Sequence, residues 1–213
     1  MIFELKEKKD KTLEEMYEKA MNELNDFFGI DWIRNIPTIV LWNKRKDYDN
    51  LRGKKTEPWE RGWQNQRIIY MINRNVMEKE SGHKYSREDY FAFLKHELCH
   101  SFFMILSNSC SRPLWLNEGV SVYLSNQNKI KKNFVTTFSC FLEYYYQVGE
   151  AIYRESGFAV QLLVEKFGKE KLLELIKSLG KVKSEKDFNK QFKEIYGHNP
   201  TYTFFNKLLN EQR

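Results

Sequence analysis

His96, Glu97 and His100 constrain this chain more than any other feature. The chain has only four histidines, and two of them stand four positions apart with a glutamate after the first. On an α-helix each residue turns by about 100°, so positions i and i+4 share one face, about 40° apart. Two imidazoles placed in this way can grip one metal ion, with Glu97 on the flank beside them. The neighbouring residues supply the helix. Ser86 stands before Arg87, Glu88 and Asp89 as an N-cap, with Asp89 in the capping-box position. Apolar side chains then recur at Tyr90, Phe91, Phe93, Leu94, Leu98, Phe102, Phe103, Ile105 and Leu106, which predicts a long buried helix ending near Asn108. Two histidines and a glutamate inside such a helix are costly without partners. Backbone carbonyls are the bland partners; a metal ion is the better one once the downstream sequence is counted.

A catalytic zinc needs a third protein ligand and an open fourth position. Glu118 meets that need. It lies among Trp115, Leu116, Val120 and Leu124, where a solvated surface glutamate is out of place. The span from His100 allows a helix end, a turn at Ser111-Arg112-Pro113, and a second helix packing back on the first. Cys99 lies about 60° from His96 and about 100° from His100 on the helix wheel, so it packs rather than ligates. His83 reads as a surface histidine.

The segment Trp115-Leu116-Asn117-Glu118-Gly119 through Tyr123 resembles the W-L-x-E-G-x-x-x-Y signature of the gluzincin metallopeptidases, especially the compact peptidase MA-like group. The resemblance implies a zincin-like α+β fold: a small mixed sheet packed on the metal-binding helix, then a mainly helical C-terminal lobe. It implies Zn²⁺ held by His96, His100 and Glu118, and a peptide or protein substrate. Glu97 is then the general base that takes a proton from the attacking water and passes it to the leaving amine. Tyr153-Arg154-Glu155-Ser156-Gly157-Phe158 looks like the start of the family's tyrosine-bearing helix. By that likeness Tyr153 is the donor to the developing oxyanion, although Tyr123, Tyr144, Tyr145 and Tyr146 are also in range by sequence. In family terms the strand expected at 67–72 edges the substrate cleft.

Two departures from the family pattern stand out. The acidic residue often found four positions after the third ligand is Val122 here, so a carboxylate that would orient a ligand histidine is missing or supplied elsewhere. Gly62-Trp63-Gln64-Asn65-Gln66 does not match the G-x-M-E-N segment that binds a substrate's free amine, which disfavours an aminopeptidase of that type. The alternative to a peptidase is a catalytically inactive zinc-binding, zincin-fold protein acting as a binding module.

The 213 residues suit a single catalytic domain, 1–213, with a sheet-containing lobe over 1–108 and a helical lobe over 109–213 carrying the third ligand. The net charge of +6 is a mild excess spread along the chain, without an arginine-rich tract, so no nucleic-acid partner is expected. The three cysteines lack CxxC spacing, which argues against a disulfide framework. Neither an apolar leader nor a membrane-length stretch is evident, and the expected location is cytoplasmic. Local patterns predict helices over 10–28, 47–52, 151–166, 169–179, 184–196 and 200–209, strands over 37–42 and 67–72, and a polar loop over 54–62. Residues 129–146 stay open between loop and helix.

Overall fold

Asp10 opens the first helix. Its side chain accepts from the Leu13 N–H, and α1 runs Lys11–Phe28 to a left-handed Gly29. The computed structural model describes residues 4–132, 134–147 and 149–212. Strand β1 (Thr38–Trp42) leads into helix α2 (Arg45–Arg52), then the hairpin β2 (Gly62–Asn65) and β3 (Ile68–Ile72), and the short helix α3 (Met77–Ser81). The sheet order is β1-β3-β2. β1 pairs parallel to β3, with Thr38 opposite Ile68, and β2 pairs antiparallel to β3, with Gly62 opposite Met71.

This order corrects one expectation. The 67–72 strand is central and touches the cleft only through Arg67 at its start; the outer strand is β2, in a stretch expected to begin as loop. Gly62-Trp63-Gln64-Asn65 has no β-branched alternation to announce a strand. It is drawn into the sheet by a cross-strand contact, Trp63 stacked on Tyr70 with ring centroids 4.0 Å apart. Gly62 is needed there, because a Cβ would run into the Tyr70 carbonyl and come within 2.8 Å of Phe93 Cζ.

Arg45 holds the segment that leads into β2. Its guanidinium lies over the rings of Trp42 and Tyr48. Its N–H groups donate to the carbonyls of Glu57, Pro58, Glu60 and Glu80 and to Thr56 Oγ1. A fork of five donors satisfies several loop carbonyls that no regular element would reach.

The predicted long helix is α4, Arg87–Leu106. Ser86 Oγ accepts from the Asp89 N–H as expected, but the Asp89 carboxylate turns outward to Arg61 rather than closing a capping box. α4 is buried on nearly every face, between the sheet, α1 and the next helix. Against α1, Phe102 stacks on Phe28 and Lys95 reaches Glu23 at 2.6 Å.

The rest is mainly helical: α5 (Leu114–Leu124), α6 (Gln127–Ile130), α7 (Glu150–Phe167), α8 (Lys169–Ser178), α9 (Glu185–Tyr196) and α10 (Tyr202–Glu211). Between α6 and α7 the chain is irregular. Its 3₁₀ turn at Phe141–Glu143 is held from α7, where the Glu155 carboxylate accepts the N–H groups of Ser139, Cys140 and Phe141. Trp115, Phe138, Phe141, Phe188, Phe192 and Phe205 form the aromatic centre of this lobe. α5 and α7 approach closely through two glycines. A Cβ on Gly119 would lie 2.7 Å from the Ser156 carbonyl oxygen, and one on Gly157 would lie 2.5 Å from Val122 Cγ1. The small mixed sheet against α4, followed by a helical lobe, is a zincin-like α+β architecture. Among the described residues no helix is long and apolar enough to cross a membrane.

Candidate metal centre

Helix α4 presents His96 and His100 one turn apart, and α5 returns across it to present Glu118. Three ligand atoms meet there. His96 Nε2 lies 3.2 Å from His100 Nε2. Glu118 Oε2 lies 3.3 Å from His96 Nε2 and 3.7 Å from His100 Nε2. Ligand atoms about 2.0–2.1 Å from a tetrahedral zinc stand about 3.3 Å from one another, so these three separations are close to the edges of one zinc tetrahedron. The side chains are recessed, at 8, 15 and 12 % exposure for His96, His100 and Glu118.

The polar atoms themselves call for a cation. Among the described residues Glu118 Oε2 is buried with no well-aligned hydrogen bond, its polar neighbours being the two imidazole nitrogens. A buried carboxylate oxygen without a well-aligned donor is expensive, and a dication between it and two imidazole lone pairs removes the cost. The two histidines, the glutamate and their spacing form a zinc-binding triad that matches the HExxH-plus-glutamate site of gluzincins.

Asn117, immediately before Glu118, sets the state of one ligand. Its Oδ1 accepts from His100 Nδ1 at 2.9 Å, and Ser121 Oγ lies 3.2 Å from the same nitrogen. An amide oxygen only accepts, so this contact favours a proton on Nδ1, the tautomer that leaves the Nε2 lone pair to a metal in the triad. The orienting group that Val122 does not provide is thus supplied to His100 by Asn117, with Ser121 one turn on. Among the described residues His96 has no such support, since its buried Nδ1 has no hydrogen-bond partner there. Neither Asn117 nor Ser121 was among the sequence candidates. The available signal was their position on the Glu118 helix, four apart and facing α4.

Electrostatics couple the cluster. Burial opposes charge on His100, but Glu118 and Glu97 outweigh it and raise its pKa. Burial pushes the Glu118 carboxyl up, and His100 and His96 more than reverse this, leaving it below the usual range. Glu97 is 7 % exposed, and burial, with Glu118 adding to it, raises its pKa. Cys99 is fully buried with its thiol pushed up to about 12 by burial, as fits a packing residue.

The triad opens into a cleft of about 1530 Å³. Its walls include Gly62 to Asn65 of β2, Phe93 and Glu97 of α4, Gln127 and Ile130 of α6, and Tyr153 of α7. Tyr153 is the tyrosine in that lining among the described residues; Tyr123, Tyr144, Tyr145 and Tyr146 are not part of it. Its ring centroid is 6.4 Å from that of His96. Burial, then the charges of Glu118, Glu97 and Glu60, raise its pKa and keep the hydroxyl protonated. His83 lies at the cleft rim, outside the triad.

A three-ligand zinc site facing a cleft, with a carboxylate beside it, is the equipment of a metal-activated hydrolase. No protein-family model matches the chain, and neither does any curated protein.

Proposed function

We propose that the protein is a zinc-dependent metallopeptidase that hydrolyses peptide bonds, working as one catalytic domain in the cytoplasm. The observation that carries the reading is the recessed His96–His100–Glu118 triad opening into a cleft bordered by an outer β-strand. Zinc, when bound, lowers the pKa of water and polarises an acyl oxygen. The chain's own residues do the rest. His96, His100 and Glu118 bind the ion. The Glu97 carboxylate, its pKa raised by burial, takes a proton from the attacking water and returns it to the leaving nitrogen. The Tyr153 hydroxyl, kept protonated, donates to the oxyanion that forms at the attacked carbonyl. The free edge of β2 pairs with an extended substrate backbone, which favours a peptide over a compact small molecule.

A second reading is a zinc-bound module without turnover. It draws on Val122 in place of an orienting acid and on the unpartnered Nδ1 of His96. One experiment separates the two. Zinc-loaded protein and its Glu97→Gln variant are compared on a broad peptide library, with zinc content measured for both. The peptidase reading expects cleavage by the parent and a loss of about 100-fold or more in the variant at equal zinc content. Absence of cleavage at full zinc occupancy establishes the second reading.

A further inference from the structure

In the wall of the same cleft, three loops bring two cations and a histidine to one lining. Arg61 immediately precedes β2, His83 follows α3, and Lys131 follows α6; all three line the cleft. Asp89 stands among them, with Glu60 and Glu97 in the same cleft lining. Asp89 pairs with Arg61 Nη1, and the guanidinium lies over Phe93, with Cζ 4.8 Å from the ring centroid. The fork is therefore pre-oriented, and Asp89 engages only one of its nitrogens. Among the described residues Lys131 forms no ion pair. Desolvation, and then repulsion by Arg61, hold its ammonium below the usual range. Desolvation and Arg61 likewise lower His83. Lys131 is exposed, so among the described residues Asp89 leaves its ammonium and one Arg61 nitrogen without an ion pair, and an anion entering the cleft has both to meet.

The position is set by α4. Phe93 and Asp89 precede His96 by three and seven residues on one helix. At about 1.5 Å per residue that is roughly 5–10 Å along the helix axis. An extended peptide crosses this distance in two or three residues.

We propose that Arg61, Lys131 and His83 form a subsite for a substrate carboxylate placed two or three residues from the scissile bond, so that the cleft selects acidic peptides. The proposal rests on the peptidase reading for the word scissile, but the subsite itself requires only binding. The carboxylate comes from a Glu or Asp side chain or from a peptide C-terminus. Lys131 supplies the unpaired charge, Arg61 the oriented fork, and His83 a further donor at the rim.

The test uses fluorogenic nonapeptides in which one Glu is walked along an alanine, leucine and phenylalanine background. Each has a Gln twin, and each is made with a free and an amidated C-terminus. With zinc-loaded protein, Glu placed two or three residues from the cut is expected to raise kcat/KM about tenfold over Gln. Lys131→Glu is expected to abolish or invert that preference at unchanged zinc content. A preference that follows the free C-terminus and not the Glu position assigns the subsite to terminal carboxylates. Equal kcat/KM for Glu and Gln twins at every position, in free and amidated forms alike, overturns the proposal. So does a preference that survives Lys131→Glu. Binding of the same peptides to the Glu97→Gln variant, read by fluorescence anisotropy, keeps the two readings apart. Tighter binding of Glu peptides without cleavage by the parent supports the subsite and removes the peptidase reading. Neither cleavage nor selective binding removes both.

Discussion

Asn117 Oδ1 accepts a hydrogen bond from His100 Nδ1 at 2.9 Å, across the crossing of α4 and α5. The next residue on α5 is Glu118, itself a ligand. Two adjacent side chains thus do different jobs at one metal: one orients an imidazole, the other binds. Both jobs depend on the same helix crossing, so the site is built only when α5 packs on α4.

Asn117→Ala is expected to weaken zinc binding by about 10–100-fold, the range seen when such outer partners are removed. Asn117→Asp keeps an acceptor and should retain more of the affinity. Competition against a chromophoric chelator measures both. Equal affinity for the parent and Asn117→Ala would show that Ser121, 3.2 Å from the same nitrogen, suffices to hold the ring.

Removing the metal leaves Glu118 with only two imidazole nitrogens at 3.3 and 3.7 Å in place of an ion that binds all three groups, so the apo protein should be less stable. With zinc at 100 times its Kd, the stabilisation is about 2.7 kcal/mol. For a domain of this size that corresponds to roughly 5–10 °C in Tm. A chelator should lower Tm by this order in the parent and by almost nothing in Glu118→Ala, which starts without metal. Differential scanning calorimetry with and without chelator decides the point.

The metal centre was legible because its chemistry is written locally. His96, Glu97 and His100 need only one helical turn, and the Glu118 motif carries its own apolar frame. Helix ends were legible for the same reason. Asp10, Ser86 and Ser184 cap their own helices, and Gly29 and Gly197 close theirs. What escaped the sequence depends on residues far along the chain. β2 exists through pairing with β3 and the Trp63–Tyr70 stack. The turn at 141–143 is fixed by Glu155 on α7, and Phe138 by both a donor and an acceptor on Asn206. Arg45 gave no local sign that it would hold the approach to β2. Asn117 was visible in the motif but unassigned, since nothing in a single helix says which imidazole it will face.

Tyr153→Phe removes one hydroxyl from the cleft wall while keeping the ring beside His96. If the hydroxyl donates to the oxyanion, kcat should fall by about 10²–10³ with KM little changed. Zinc content should stay at the parent level, because Tyr153 lies outside the ligand triad. Steady-state kinetics beside elemental analysis make the check. A large rise in KM with kcat unchanged would make Tyr153 a binding residue instead.

Glu155 provides a pH signature of stability that is separate from the metal. Burial pushes its pKa up, but the N–H groups of Cys140, Ser139 and Phe141 and the Cys140 thiol outweigh this and leave it lowered. A depressed folded pKa means that ionised Glu155 stabilises the fold. That contribution is complete above the unfolded value of about 4.3 and is lost as pH falls through the lower folded value. Glu155→Gln should therefore cost about 1–3 kcal/mol near neutrality. The gap between parent and variant should be flat above about pH 5 and should close progressively below about pH 4. Urea midpoints across pH 3–7 test this, and a gap that stays constant down to pH 3 would contradict it.

Gly119 and Gly29 are expected to fail for different reasons when changed to alanine. Gly29 has φ of +63 with open space around it, so an added methyl meets no atom and costs only the left-handed backbone strain. That cost is about 1 kcal/mol, and zinc affinity should be unchanged. Gly119 is helical, so its backbone accepts alanine, but the new methyl would lie 2.7 Å from the Ser156 carbonyl oxygen and 2.9 Å from Val160 Cγ2. α5 must then move away from α7, at a cost of about 1–3 kcal/mol. Glu118 is the residue before Gly119 and moves with it, which should weaken zinc binding as well as the fold. Urea midpoints and chelator competition on the two variants separate the mechanisms: loss of stability alone for Gly29→Ala, and loss of stability and metal affinity together for Gly119→Ala. Unchanged affinity in Gly119→Ala would mean that α7 yields instead of α5, leaving Glu118 in place.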